Sequence, residues 1–351
     1  MFLWFLECRV DICIVEVGLG GALDATNVLE QPLACVFTSI GIDHEAILGN
    51  SLEEIATHKA GILKKYGNAV ISHQNETSAF QSLVYQCKNN KVNYVCSGVA
   101  QIKESVDHSS KHMLVEYTTK TLMTTYEVEC PLQGDFQLIN LACALDVIDL
   151  LKANHKDLFL IPTTAVSLGC SKTTWPGRLE WVEATGLGRI LVDGAHNPAA
   201  AQALSDYLGN FIATQLSHVE GSFHVHWIFG ATKGKCIDKI IPILLKSLAD
   251  GLNPKQGRIK SDISLVGFSQ PDEMPWICSW PTDILHSKLL ELPDVHFDKI
   301  QQFSTISDAL ETLKVEHPNL PDNHHLVVVT GSLYLVADLF RFLDPAKAHI
   351  H

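Results

Sequence analysis

The chain contains no CxxC pair. Its ten cysteines stand singly along 351 residues, so neither a zinc ribbon nor a disulfide framework is indicated, and reduced thiols in a cytosolic or mitochondrial-matrix setting are expected. It has no basic excess either: 26 lysines and arginines face 39 acidic residues, for a net charge of −13. That balance argues against an electrostatic nucleic-acid binder, and an anionic substrate would have to meet local positive charge. No apolar run reaches membrane-spanning length. The opening Met1–Leu6 is cut off by Glu7, Arg9 and Asp11. It is too short for a signal core and not Arg/Ser-rich, so no targeting segment is expected, only the last turns of a helix packed before the first strand. Nowhere in the chain is there a GxxxxGK[ST] phosphate loop. The nearest approach, Gly230-Ala231-Thr232-Lys233-Gly234-Lys235-Cys236, is one residue short and ends in a thiol. Gly18-Leu19-Gly20-Gly21 has Leu23 where a dinucleotide fingerprint needs its third glycine, which disfavours a nicotinamide-dependent oxidoreductase. Internal repeats and low-complexity tracts are also missing.

What remains is a globular composition, 46% hydrophobic and 19% charged, with length enough for two domains. The densest stretch is Val10 to Lys65. Ile12–Val15 reads as a buried strand that ends at Glu16 and the glycine-rich loop. Leu33–Ile40 reads as a second strand, ending at Gly41 and then Asp43-His44. If the two are parallel, Glu16 and His44 emerge at one carboxyl edge, where open α/β sheets bind ligands, and a carboxylate beside an imidazole suits a divalent cation. Ser51-Leu52-Glu53-Glu54 is a capping box, so a helix carrying Lys59 should start near Leu52. From spacing alone, a surface loop followed by an ordinary helix explains these residues equally well.

Short strands are expected over 69–72, 91–97, 113–117 and 121–129, the last three forming a small meander, with helices over 79–88 and 138–153. Asn140 sits near the start of the second helix, where capping is its plain role. A short helix within 161–175 should close the first domain, and Pro176-Gly177 should form the hinge. Arg178 follows, a guanidinium fork suited to a phosphate oxygen or simply a surface arginine. Arg189–Asp193 reads as a strand ending in a carboxylate. Asn197 should cap a helix with Pro198 at its first position, leaving Asp193 and His196 at a strand-to-helix edge. From there strands (225–229, 263–267, 325–330) alternate with helices (237–248, 305–315, 332–342), the pattern of a doubly wound α/β domain.

Seven blocks carry a resemblance. They are Glu16–Gly21 with Leu23–Asn27, Ser39–His44, Lys59–Ile62, Gln137–Asn140, Trp175–Arg178, Asp193–Pro198 and Gly331–Tyr334. In this order they resemble the dihydrofolate synthase/folylpolyglutamate synthase family of the Mur ligase superfamily. The resemblance implies residues 1–175 as a Mur-type central ATPase domain (parallel sheet plus small β-meander), N-terminally truncated, because the family's phosphate loop lies upstream of the glutamate string. It implies 176–351 as a Rossmann-like C-terminal domain. The implied reaction joins glutamate to dihydropteroate or to a folate polyglutamate through an acyl phosphate, forming ADP and phosphate. Glu16 and His44 then match magnesium ligands, and Lys59 matches a lysine that becomes carbamylated. Leu23, Asp24 and Ala25 match the pterin-side loop, and Asn140, Arg178 and Asp193 match nucleotide contacts. Lys59 and His196 are the expected catalytic residues. The expected partners are ATP, L-glutamate and the pterin substrate, with Mg2+ as cofactor, on a monomer that touches neither nucleic acid nor membrane. The alternative is a non-catalytic chain that binds ATP weakly for want of the phosphate loop.

Overall fold

The structure, a computed structural model, describes residues 1–42, 45–104, 112–216, 222–250, 259–318 and 324–344. They form an α/β fold in two compact units. The first comprises Met1–Lys103, Leu114–Val128 and Gln137–Gly169; the second comprises the described residues of Glu104–Met113, Glu129–Phe136 and Cys170–His351.

The chain opens with α1 (Phe2–Glu7), β1 (Cys35–Phe37), α2 (Glu45–Leu48), α3 (Leu52–Lys59), β2 (Asn68–Ile71), α4 (Thr77–Asn89) and β3 (Asn93–Cys96). Then come β4 (Gln101–Glu104), β5 (Met113–Thr118), β6 (Thr125–Cys130), α5 (Asp135–Asn154) and α6 (Thr163–Ser171). Strands β1, β2 and β3 form a parallel sheet in that order. Its residues alternate as a sheet buried on both faces requires. Ala69 and Ile71 pack with Ala56, Leu83 and Cys87 of α3 and α4, while Val70 packs with Cys143 and Leu150 of α5. The helix at Leu52 begins as its cap predicts: Ser51 Oγ accepts the Glu54 N–H at 3.2 Å.

The meander β4–β5–β6 is tied to α5 by two aspartates with no exposed surface. Tyr117 Oη donates to Asp146 Oδ2 at 2.7 Å, and Tyr126 Oη donates to Asp149 Oδ1 at 2.7 Å. The Thr119 hydroxyl also donates to Asp149. Buried carboxylates persist only with such partners.

Three expectations for this unit fail. The strand expected over 91–97 is not part of the meander: β3 joins the parallel sheet beside β2, and β4 takes its place in the meander. No strand forms over 12–15, and among the described residues β1 pairs only with β2. Ile12 and Ile14 are 53% and 95% exposed; an apolar β-branched run is not a strand until a neighbour accepts its backbone hydrogen bonds. The opening helix does form, but none of its residues is buried.

The second unit adds β7 (Glu180–Ala184), β8 (Gly188–Asp193), α7 (Pro198–Leu216), β9 (Phe223–Phe229), α8 (Ile237–Asp250) and β10 (Ile259–Val266). It ends with α9 (Thr282–Leu290), β11 (Lys299–Phe303), α10 (Ile306–Glu316), β12 (His325–Thr330) and α11 (Leu333–Leu343). Its six-stranded sheet runs β11-β10-β9-β12-β8-β7, parallel except for β7, which lies antiparallel to β8. Leu191, Val225, Trp227 and Val328 bury one face under α7, α8 and α9. Ile190, Ile228, Val327 and Val329 bury the other under α10 and α11. Strands β7 and β11 and helix α9 were not anticipated; β7 and β11 are sheet edges, whose half-exposed residues carry a weak apolar pattern.

Candidate active site

In the first unit, the residues singled out around the glycine loop gather at the end of α3. Asp24 holds the loop: its Oδ2 accepts the Leu19 N–H at 2.9 Å, and its Oδ1 accepts from the Thr26 N–H at 2.9 Å and the Thr26 hydroxyl at 2.6 Å. The Thr26 hydroxyl bond and the Leu19 amide hold its carboxyl at about 2, well below the ordinary range. Asp24 is therefore ionised and engaged, a brace for the loop, while Leu23 beside it is 90% exposed. Ala25 begins the short 3-10 turn that Asp24 caps.

The loop lies against the carboxyl end of α3 with no space for side chains. A Cβ on Gly21 would stand 2.6 Å from the Lys59 carbonyl oxygen and 3.0 Å from that of His58. The Ala22 N–H donates to the His58 carbonyl at 3.1 Å. Asn27 Nδ2 donates to the carbonyls of Ala22 and Gly61, at 2.9 and 3.2 Å. Lys64 Nζ in turn donates to Asn27 Oδ1 at 3.0 Å. Lys59, half-buried as the last residue of α3, is thus brought beside Gly21. Asn27, quoted in the sequence only as the end of a block, and Lys64, outside every block, fasten the loop; an asparagine in a loop gives no local sequence signal for such a role.

Glu16 is exposed and follows the unpaired 12–15 segment, so the two-strand geometry that would place it opposite His44 is not present; His44 itself lies outside the described residues. Asn140 is also exposed. It is not a cap, because α5 begins at Asp135 and puts it in the second turn, where its Nδ2 donates to Gln137 Oε1 at 3.0 Å.

In the second unit, the sites cluster at the carboxyl end of β8. Asp193 is 5% exposed, and its Oδ2 accepts the Leu179 N–H at 2.9 Å. Burial pushes its carboxyl up to about 6, against the opposing pull of the Leu179 amide and of Arg178. The Gly194 N–H donates to the Gly177 carbonyl at 2.9 Å, which joins the Pro176-Gly177 turn to the strand end. The Arg178 guanidinium lies across Gly194, where a Cβ would come within 2.9 Å of Nη1. His196 Nδ1 sits 2.8 Å from the Gly194 carbonyl, and the Ala200 N–H donates to Asn197 Oδ1 at 2.9 Å, the expected cap of α7.

Two more residues complete this edge. Gly331, at φ +106°, could carry no Cβ because the Gly230 carbonyl oxygen lies 2.6 Å away. Ser332 then caps α11 by accepting the Tyr334 N–H at 3.2 Å. Both fall within the Gly331–Tyr334 block, and a Gly-Ser pair between an apolar run and a helix is their local signal. The near-match at Gly230–Cys236 is no phosphate loop: its Lys233 and Lys235 amides already donate to the carbonyls of Cys278 and Thr232.

Comparisons with known proteins agree across nearly the whole chain. Residues 1–148 match the Mur ligase middle domain, and residues 183–342 match the dihydrofolate synthetase C-terminal domain. A probable dihydrofolate synthetase of Schizosaccharomyces pombe is 32% identical over 347 residues, covering 97% of this chain and 73% of the relative. The dihydrofolate synthase/folylpolyglutamate synthase of Bacillus subtilis is 28% identical, covering 97% and 70%. Among solved structures, Mycobacterium tuberculosis folylpolyglutamate synthase complexed with ADP and AMPPCP shares the fold with a TM-score of 0.72 at 24% identity, over 97% of this chain and 70% of that one.

Proposed function

Because the chain belongs to the dihydrofolate synthase/folylpolyglutamate synthase family of Mur-type ligases, we propose that it works as an ATP-dependent glutamate ligase on a pterin or folate carboxylate. In this reading the carboxylate of dihydropteroate, or of a folate's glutamate tail, takes the γ-phosphoryl group of ATP. The amine of L-glutamate then displaces phosphate from the acyl phosphate. The observation that supports it best is the Arg178–Asp193–His196 cluster on a strand-to-helix edge, braced by Gly177, Gly194 and Leu179.

Each residue has a role that its surroundings permit. Arg178, held over a bare glycine, offers its fork to a phosphate oxygen. Asp193, ionised above about pH 6, accepts from a nucleotide hydroxyl. Asn140, exposed on α5, accepts or donates at the base or ribose. His196 moves a proton at the amine or phosphate. Leu23 and Ala25 border the pterin ring while Asp24 fixes their loop. Lys59, beside that loop, is the site of carbamylation, which turns a cation into a carboxylate-like anion. The exposed Glu16 offers a carboxylate of the kind magnesium takes while keeping several waters; it would hold the ion together with His44, as the resemblance implies, without the pair of parallel strands expected from the sequence. When bound, the ion neutralises phosphate charge. One relative, from Homo sapiens, is named as a mitochondrial folylpolyglutamate synthase, and a monomer in the cytoplasm or the mitochondrial matrix fits this reading.

A second reading is favoured by one observation: these 351 residues contain no GxxxxGK[ST]. Without a backbone cradle and its lysine, the triphosphate loses several kcal/mol of stabilisation. ADP release is the assay, with magnesium, ATP, glutamate and either dihydropteroate or tetrahydrofolate. The ligase reading expects pterin- and glutamate-dependent turnover that Arg178→Lys weakens through the ATP KM by about tenfold or more, as loss of a charge-assisted fork implies. The second reading expects a turnover that appears only when a phosphate loop is supplied at the amino end. No turnover in either form sinks the ligase assignment.

A further inference from the structure

Five side chains outside this site gather in the second unit at the amino ends of its strands, the opposite end of the sheet from Asp193. His224 and His226 are two apart on β9 and so share a face. His325 on β12 is in register with His224, and Asp262 on β10 is in register with His226, so all four point to that face. His317, just past α10, puts its ring 4.5 Å from that of His226. Further along the same face, Ile228, Val327 and Val329 are buried beneath α10 and α11. The histidines therefore interrupt an otherwise apolar layer.

The spacing is that of ligands. His226 Nε2 lies 2.9 Å from His325 Nδ1, and the rings of His224 and His226 are 3.9 Å apart. One ligand atom from each of His224, His226 and His325 falls within 4.8 Å of the others. Zinc takes imidazole nitrogens at about 2.0–2.1 Å, which sets tetrahedral neighbours about 3.3 Å apart, so small side-chain adjustments suffice. Asp262 Oδ2 stands 2.9 Å from His224 Nε2 and 3.8 Å from His226 Nδ1. A carboxylate on the outer nitrogen turns the inner one toward a cation and raises its basicity. His224 Nε2 is buried and, close as it is to Asp262, makes no well-directed hydrogen bond. The nearby cation, Lys299, is paired with Glu316 at 2.6 Å.

We propose that His224, His226 and His325, with Asp262 beside them, form a site for a divalent cation of the zinc class that pins β9, β10 and β12 together. The soft-to-borderline donor set favours zinc, or cobalt and nickel as substitutes, over magnesium. His226 and His325 lie 99 residues apart, so the ion closes a long loop and stabilises the second unit without taking part in ligation.

The test uses the full chain stripped with a chelator and desalted, then titrated with Zn2+ alone or Co2+ alone. Metal per chain, thermal midpoint and the visible Co2+ spectrum are read. The site predicts about one tightly held ion per chain, a midpoint raised by several degrees on Zn2+ addition, and the intense absorption of tetrahedral Co2+. His224→Gln with His325→Gln abolishes all three, and Asp262→Asn weakens affinity by about tenfold or more. A control with His349→Ala and His351→Ala, near the carboxyl terminus, binds as the unaltered chain does. Absence of saturable binding by the unaltered chain overturns the proposal, as does undiminished binding by the double histidine variant. Should that variant fail to fold, unchanged affinity in Asp262→Asn, or an octahedral Co2+ spectrum in the unaltered chain, overturns it instead.

Discussion

Asp193 Oδ2 accepts the backbone N–H of Leu179 at 2.9 Å, and Leu179 itself is held at φ +46°. One buried carboxylate thus fixes a left-handed residue just past the Pro176-Gly177 turn and anchors Arg178 over Gly194. The same bond is too little to offset burial, which leaves the carboxyl at about 6.

Stability should therefore depend on pH through Asp193. Below about pH 4 the carboxyl is protonated in both states and costs nothing. Between there and about 6, the folded chain keeps a proton that the unfolded chain releases. Stability falls as pH rises through that window, by up to about 3 kcal/mol from this group. Asp193→Asn should flatten that segment of the profile in urea melts at pH 4, 5, 6 and 7. An unchanged slope would show that another group sets it.

Gly21→Ala should destabilise the first unit. The added methyl meets the Lys59 carbonyl oxygen at 2.6 Å, a backbone atom that cannot swing away. A loss of about 1–3 kcal/mol is expected from overpacking of this kind, read as a lower thermal midpoint. A midpoint equal to that of the unaltered chain would mean that the loop is not seated on α3 as described.

Tyr126→Phe removes the donor to Asp149 Oδ1 while leaving the ring in place. Among the described residues, the buried carboxylate then keeps the Thr119 hydroxyl and the distant Lys152. The expected cost is about 1–3 kcal/mol, measurable by urea denaturation. A neutral result would mean that the Tyr126 hydroxyl does not hold Asp149 in the core as described.

The boundary near residue 175 is proposed as a folding boundary, because the sheet of the second unit is covered on both faces by its own helices. A fragment of residues 176–351 should unfold in one cooperative transition with a near-ultraviolet signal. A gradual, featureless melt would show that the fragment needs the residues before it.

Much of this was written in local order. Ser51 before Leu52-Glu53-Glu54 specified the start of α3, and Asn197-Pro198 specified the start of α7, because caps act through bonds between residues three apart. The alternation from Arg189 to Phe342 specified a doubly wound sheet, because each strand and helix shows its own period. Asp193 and His196 could be assigned to a strand-to-helix edge on the same grounds, and the blocks from Glu16 to Tyr334 supplied the family.

Tertiary structure decided what depends on distant partners. Ile12–Val15 has the composition of a strand, yet a strand exists only where a neighbouring chain completes its ladder, and none of the described residues does so. Asp146 and Asp149 read as ordinary acids of a helix until Tyr117 and Tyr126, more than twenty residues away, arrive to bond them in the core. His224, His226, Asp262, His317 and His325 spread over a hundred residues without any ligand motif. Only the register of β9, β10 and β12 brings them to one face, because parallel strands align side chains across the sheet whatever their separation along the chain.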